Sequence, residues 1–185
     1  MDENYTSDNV RSRLILAGLK ELDQHGVVDF SLRRVAIGAG VSCAAPYRHF
    51  KDKDELIFSI IEYVMEGWTI LSSQIGELFS EDVRGLITEL ATAGLRFWIA
   101  NGNFRTVIMN SDRIAENGGT MSDFECPIIN AISQLGSSCD QKELEFKVLA
   151  ALYGAISLVD GGRYSADDAA QILKKTVCDI LIQNA

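Results

Sequence analysis

The residues of this chain best suited to chemistry form one run at 31–50, SLRRVAIGAGVSCAAPYRHF, followed shortly by Lys53. It gathers Arg33, Arg34, Arg48, His49, Tyr47 and Ser42, which are cations and hydroxyl donors of the kind that hold phosphate oxygens and base edges. What the chain lacks narrows the chemistry further. There is no Glu-x-x-His pair, no Cys-x-x-Cys, no Gly-x-Ser-x-Gly elbow and no phosphate-loop motif. The two histidines, His25 and His49, lie 24 residues apart with no carboxylate cluster around both, and Gly38-Ala39-Gly40 is followed by Cys43 where a dinucleotide fingerprint needs glycine. Nothing assembles a nucleophile, a base and an orienting group, so an enzyme is not expected, nor a metal or cofactor.

The elements around this run must present it. Ser31 can cap a helix whose Leu32, Val35 and Ala36 face inward. Gly38-Ala39-Gly40 ends that helix, and Gly40 supplies backbone freedom for a sharp turn. Val41 can plug the space between the helices, and Ser42 can cap a short second helix to about residue 50 and also reach a phosphate. A helix, a tight glycine turn and a second short helix make helix-turn-helix geometry, in which the second helix enters the DNA major groove. Pro46 fits this plan poorly, because inside the second helix it would remove a backbone hydrogen bond.

Elsewhere the pattern is helical. Residues 7–25 place Val10, Leu14, Ala17, Gly18 and Leu22 on one face, and Gly26 is a natural stop. A long helix opens at Asp52 or Lys53 and carries Leu56, Ile57, Ile60, Ile61, Val64 and Met65 on its buried side. Further helices are predicted at about 82–100, 104–115, 122–135, 141–159 and 166–183, the last opened by Ser165-x-x-Asp168, a capping-box variant. About nine helices and no convincing strand give an all-α fold.

Composition agrees. The chain has 185 residues, 47% hydrophobic and 23% charged, which suits an ordinary globular core, and only two prolines, which favours long helices. No secretory signal is evident at the start, and no run approaches the ~20 apolar residues of a membrane span. The four cysteines, Cys43, Cys126, Cys139 and Cys178, are scattered as reduced cytosolic thiols would be, so a cytoplasmic location without a membrane partner is expected. The net charge of −9 looks wrong for a DNA partner, but it is unevenly spread. Residues 1–53 hold 8 Lys/Arg against 7 Asp/Glu, and residues 54–185 hold 9 against 19. A near-neutral head on an acidic body is compatible with DNA contact through the head alone.

Residues 10–60 resemble the tetracycline-repressor (TetR) family of bacterial transcriptional regulators. The elements that carry the resemblance are the helix over 14–26, then Ala36, Ala39-Gly40-Val41-Ser42, Tyr47-Arg48-His49-Phe50, Lys53 and Leu56. The resemblance implies a helix-turn-helix DNA-binding domain at 1–53 and a helical effector-binding and dimerisation domain at 54–185. It implies base-facing roles for Cys43 and Ala44, phosphate contacts for Tyr47, His49 and Lys53, and base or phosphate contact for Arg33. Lys53 also makes physical sense there, since it adds to the partial positive charge of a helix start. The small Cys43 and Ala44 offer no bidentate readout, leaving specificity to thymine methyls, to Arg33 or Arg48, and to DNA shape. The blander readings stay open: Tyr47 as a core aromatic, His49 as a helix-end residue, Arg34 as a solvated charge.

The family further implies that the last two helices pair with their copies in a homodimer. Independently, Ala150, Ala151, Gly154 and Ala155 give a smooth face for close approach, either to a copy or within one chain, and Ile172 and Thr176 share one side of the last helix. An effector cavity is implied in the body, where Met65, Trp68, Phe97, Trp98, Met109 and Phe124 are the large side chains available. Trp68 and Trp98 are the best lining residues, because indole combines apolar surface with one donor, and plain core packing stays open as the alternative for every one of these side chains. Few charges interrupt these stretches, which favours a small, mostly apolar effector. The expected function is a repressor that releases a palindromic double-stranded DNA operator when the effector binds. An effector-independent structural DNA-binding protein and a helical binding protein that ignores DNA are the alternatives.

Overall fold

The computed structural model describes residues 3–102, 120–136 and 140–184. Among them are eight helices and no strand: α1 (Glu3–His25), α2 (Leu32–Gly38), α3 (Pro46–His49), α4 (Lys53–Leu78), α5 (Val83–Ala100), α6 (Thr120–Ser133), α7 (Gln141–Asp160) and α8 (Ala166–Gln183). The helix expected at 104–115 lies outside the described residues.

Short polar side chains set the starts. The carboxylate of Asp52 accepts from the Glu55 amide at 2.9 Å, that of Asp82 from the Gly85 amide at 2.9 Å, and that of Asp140 from the Lys142 and Glu143 amides. The Ser165 hydroxyl accepts from the Asp168 amide at 3.1 Å and donates to the Asp168 carboxylate, so the anticipated capping box closes between the two side chains. Glycines set the stops. Gly26 sits at φ +67°, where its amide donates to the Leu22 carbonyl and ends α1.

α1 packs on α2 and α4, α5 on α4, α6, α7 and α8, and α7 on α8. Along α4 the buried side is Leu56, Ile57, Ile60, Ile61, Met65 and Trp68. By length and composition this helix could cross a membrane, contrary to the expectation that no run comes close. Its apolar side is instead buried in the core, with Glu62 and Glu66 exposed. At about 39 Å long, α4 joins the three N-terminal helices to the rest. Gly18 allows the close approach at its start, because a Cβ there would lie 2.6 Å from Ile60 Cδ1.

Farther along, Trp68, Phe97, Trp98 and Phe124 form one aromatic cluster, with Phe124 4.8 Å from Trp68 and 5.0 Å from Trp98 between ring centres. Gly94 makes room for it, since a Cβ would come within 2.9 Å of Phe124 Cζ. The Tyr153 hydroxyl donates to Glu125 at 2.6 Å and ties α7 to α6. Burial and the adjacent carboxylate both push the Tyr153 phenol well above its ordinary value.

Candidate nucleic-acid interface

Backbone bonds fix the turn between α2 and α3. The Gly40 amide donates to the Ile37 carbonyl and the Val41 amide to the Ala36 carbonyl, both at 3.0 Å, with Gly40 at φ +65°. This pair of bonds is the Schellman motif, which favours glycine at that position. The Arg13 guanidinium, reaching across from α1, donates to the carbonyls of Ala39 and Gly40. It thereby satisfies the exposed end of α2 and fastens the turn to α1.

The second helix begins later than the sequence suggests. Ser42 does not cap it; the Ser42 carbonyl accepts from the Ala45 amide at 2.9 Å in a separate turn, and α3 starts at Pro46 with Ala45 before it. The physical reason is Pro46. At the first helical position its missing N–H has no partner to lose and its fixed φ suits the helix. The anticipated lost hydrogen bond therefore does not arise, and the Ser42 residue stays exposed.

The unit has two sides. Ala45, Pro46 and Phe50 are buried, whereas Arg33, Ser42, Cys43, Ala44, Tyr47 and Arg48 are exposed, and His49 is half-buried. Tyr47 is 67% exposed, which removes the reading of it as a core aromatic. Lys53 is half-buried at the start of α4. Its ammonium donates to the Val27 carbonyl at 2.6 Å and lies 5.8 Å from the centre of the Phe30 ring. Part of its capacity thus braces the connection between α1 and α2.

Arg34, though 47% exposed, is tied into the head. Its guanidinium donates to the buried Glu21 carboxylate at 2.7 Å and to the Asp29 carbonyl, and the Ser31 amide donates to the same Glu21 oxygen at 3.1 Å. Burial alone would raise the Glu21 carboxyl, but Arg34, the Ser31 amide and His25 together hold it below its ordinary value. His25 lies 3.8 Å from the other Glu21 oxygen, one turn along α1. Sequence reasoning missed this clamp, and also Arg13 and Arg11. Arg11 donates to Ser59 at 3.0 Å and stands over the Phe50 ring.

In the body, Met65, Trp68, Trp98 and Phe124 are buried and Phe97 is partly so; Met109 lies outside the described residues. The two indoles differ. Trp68 Nε1 donates to the Phe124 carbonyl at 3.1 Å, whereas Trp98 Nε1 is buried with no acceptor among the described residues. No three His, Cys, Asp or Glu side chains converge as metal ligands among the described residues.

The small-residue face of α7 is open. Ala150, Ala151, Gly154 and Ala155 line a shallow groove with Ile172 and Thr176 of α8. Ile172 is 53% exposed, and nothing lies within 4 Å of a Cβ built on Gly154. Tyr164 and Leu158 extend the groove, and exposed Phe146 lies one turn before Ala150. Phe146 was legible as the same helical face, being four residues before Ala150.

Residues 14–60 match the profile of bacterial regulatory proteins, tetR family. Over 72 residues, 39% of this chain, the sequence is 32% identical to an HTH-type transcriptional regulator of Staphylococcus aureus and 36% identical to the HTH-type transcriptional regulator AcrR of Shigella flexneri. These matches span 39% and 30% of the lengths of those two proteins. In fold, the chain is similar to a TetR-family transcriptional regulator of Mesorhizobium loti. That likeness has a TM-score of 0.78 at 17% identity and covers 96% of this chain and 97% of the other.

Proposed function

Through residues 14–60 the chain belongs to the tetR family of bacterial regulatory proteins, and from that premise we propose that it is a DNA-binding repressor released by a small ligand. The observation that carries this reading is the two-sided α2–turn–α3 unit. Its apolar side is buried, and Tyr47 stands 67% exposed beside Arg48 and the outward face of Ser42, Cys43 and Ala44. An exposed tyrosine next to Arg48, on the helix that follows the turn braced by Arg13 and the Schellman bonds, suits a phosphate backbone. Arg33 and Arg48 are the long side chains that reach base edges, and Cys43 and Ala44 lie against thymine methyls. His49 and Lys53 complete the phosphate contacts, Lys53 with the N–H groups left over from Val27.

Residues 1–53 act as the reading head and 54–185 as the body that pairs and takes the ligand. The groove of Ala150, Ala151, Gly154, Ala155, Ile172 and Thr176 closes on its copy to form a homodimer. Pairing is required because two heads must meet successive major grooves about 34 Å apart on one side of the duplex. The ligand binds among Met65, Trp68, Phe97, Trp98 and Phe124. Phe124 touches both indoles and Trp68 rides on α4, so a ligand at this cluster biases the helix that carries Lys53. The ligand shifts the operator affinity only by its preference for the dimer whose heads no longer fit the grooves.

Salt-dependent binding tests the head. Tyr47→Ala, at an exposed position, should weaken binding to every duplex and leave its salt dependence unchanged, because the lost phosphate contact carries no charge. Arg48→Ala should weaken binding most at the preferred sequence, as the loss of a base contact does, by about 1–3 kcal/mol. Unchanged binding in both variants would remove the interface from α3.

A further inference from the structure

Two tryptophans share one aromatic cluster and differ in a single respect. Trp68 Nε1 has its acceptor, the Phe124 carbonyl at 3.1 Å. Trp98, 1% exposed, has none among the described residues. Buried indole N–H groups almost always find a partner, and an enclosed donor without one is a standing cost that an arriving acceptor removes. The donor is also held in place. The Trp98 ring stands edge-on to Phe124 at 5.0 Å and to Phe97 at 6.0 Å, and Gly94 lets the Phe124 ring lie close against α5. A fixed donor with apolar neighbours is an anchor for one polar atom of an otherwise apolar molecule.

We propose that Trp98 Nε1 is the polar anchor of the ligand site, and that the molecule it holds is apolar with an uncharged carbonyl-type acceptor. This rests on the reading of the body as a ligand-binding unit and specifies its chemistry. A bare carboxylate fits poorly, because it would need a cation inside the cluster. Arg96, two positions before Trp98, is 64% exposed and faces Asp167 at 3.8 Å. Trp68 is excluded as the anchor because its one donor is already used to fasten α4 to α6.

The test uses the full-length protein with nitrogen-15-labelled indoles. The two tryptophans give two indole N–H resonances, and Trp68→Phe assigns them by deletion. The probes are two ketones, acetophenone and 2-nonanone, each set against its hydrocarbon match, ethylbenzene and nonane. The expected result is a downfield shift and slowed exchange of the Trp98 N–H with a ketone and not with its hydrocarbon. Trp98→Phe, which keeps an aromatic ring and removes the donor, should cost the ketone about tenfold in affinity and leave the hydrocarbon unchanged. Three results overturn the inference: equal binding of ketone and hydrocarbon, no movement of the Trp98 N–H with either ketone, or a ligand-free protein whose Trp98 N–H already behaves as bonded.

DNA release separates this from the wider reading. A ketone that shifts Trp98 without loosening a bound duplex supports the anchor and contradicts the ligand-released repressor. A molecule that releases DNA without moving Trp98 does the reverse.

Discussion

Glu21 shows how a single side chain gathers the head. Its buried carboxylate receives Arg34, the Ser31 amide that opens α2, and His25 at the end of α1. Its folded pKa lies below the ordinary 4.5, so the unfolded chain takes up the proton first as acid is added. The stabilisation is therefore complete above the ordinary value and fades as pH falls through the lowered folded value. Glu21→Gln should lower the melting temperature at pH 7 and flatten the acid limb below pH 4.5, measured by circular dichroism across pH; an unchanged acid limb would contradict the clamp. The spacing of Glu21 and His25 along one helix was legible in the sequence, but the Arg34 contact was not, because Arg34 and Glu21 are 13 positions apart and only the fold of α1 against α2 joins them. Tyr47 was legible as a candidate but not as exposed, since the alternation of buried Ala45 and Pro46 with outward Tyr47 and Arg48 depends on where α3 begins. The orphan donor of Trp98 could not be read at all: composition marks two tryptophans, and only packing separates the paired one from the other.

Among the elements, the bounds of α8 could be read to the residue, because Ser165 and the apolar spacing from Ala169 to Ile180 agree. The start of α3 could not. A serine before a short helical run reads as a cap, yet the backbone turn from Ser42 to Ala45 intervenes and Pro46 takes the first helical position. The turn before it depends on Gly40. Gly40→Ala places a Cβ on a backbone at φ +65° and 3.0 Å from the Arg13 guanidinium. It should cost about 1–2 kcal/mol of stability in urea unfolding and weaken DNA binding beyond that, by tilting α3. Loss of stability with intact binding would mean that the turn does not set the reading geometry. In the body, Gly94→Ala drives a methyl to 2.9 Å from Phe124 Cζ. Overpacking of this kind costs about 1–3 kcal/mol, and the indole fluorescence should shift with it.

At the scale of the whole chain, charge is divided between a near-neutral start and an acidic remainder, and the open face of α7 and α8 lies in that remainder. Small residues at 150–155 were legible as a surface for close approach; the groove they form with Tyr164 and Ile172 required the angle between the two helices. Ala150→Arg inserts two cations into the paired face. Sedimentation should then report the 20.3 kDa chain in place of its dimer, with DNA affinity down on the order of a hundredfold or more as the second head is lost. Selection of bound sites from random duplex DNA, at low salt and with the unaltered protein, should return a palindrome whose half-sites sit one helical turn apart. Failure to retain duplex of any sequence under those conditions would contradict the regulator and the interface on α3 together.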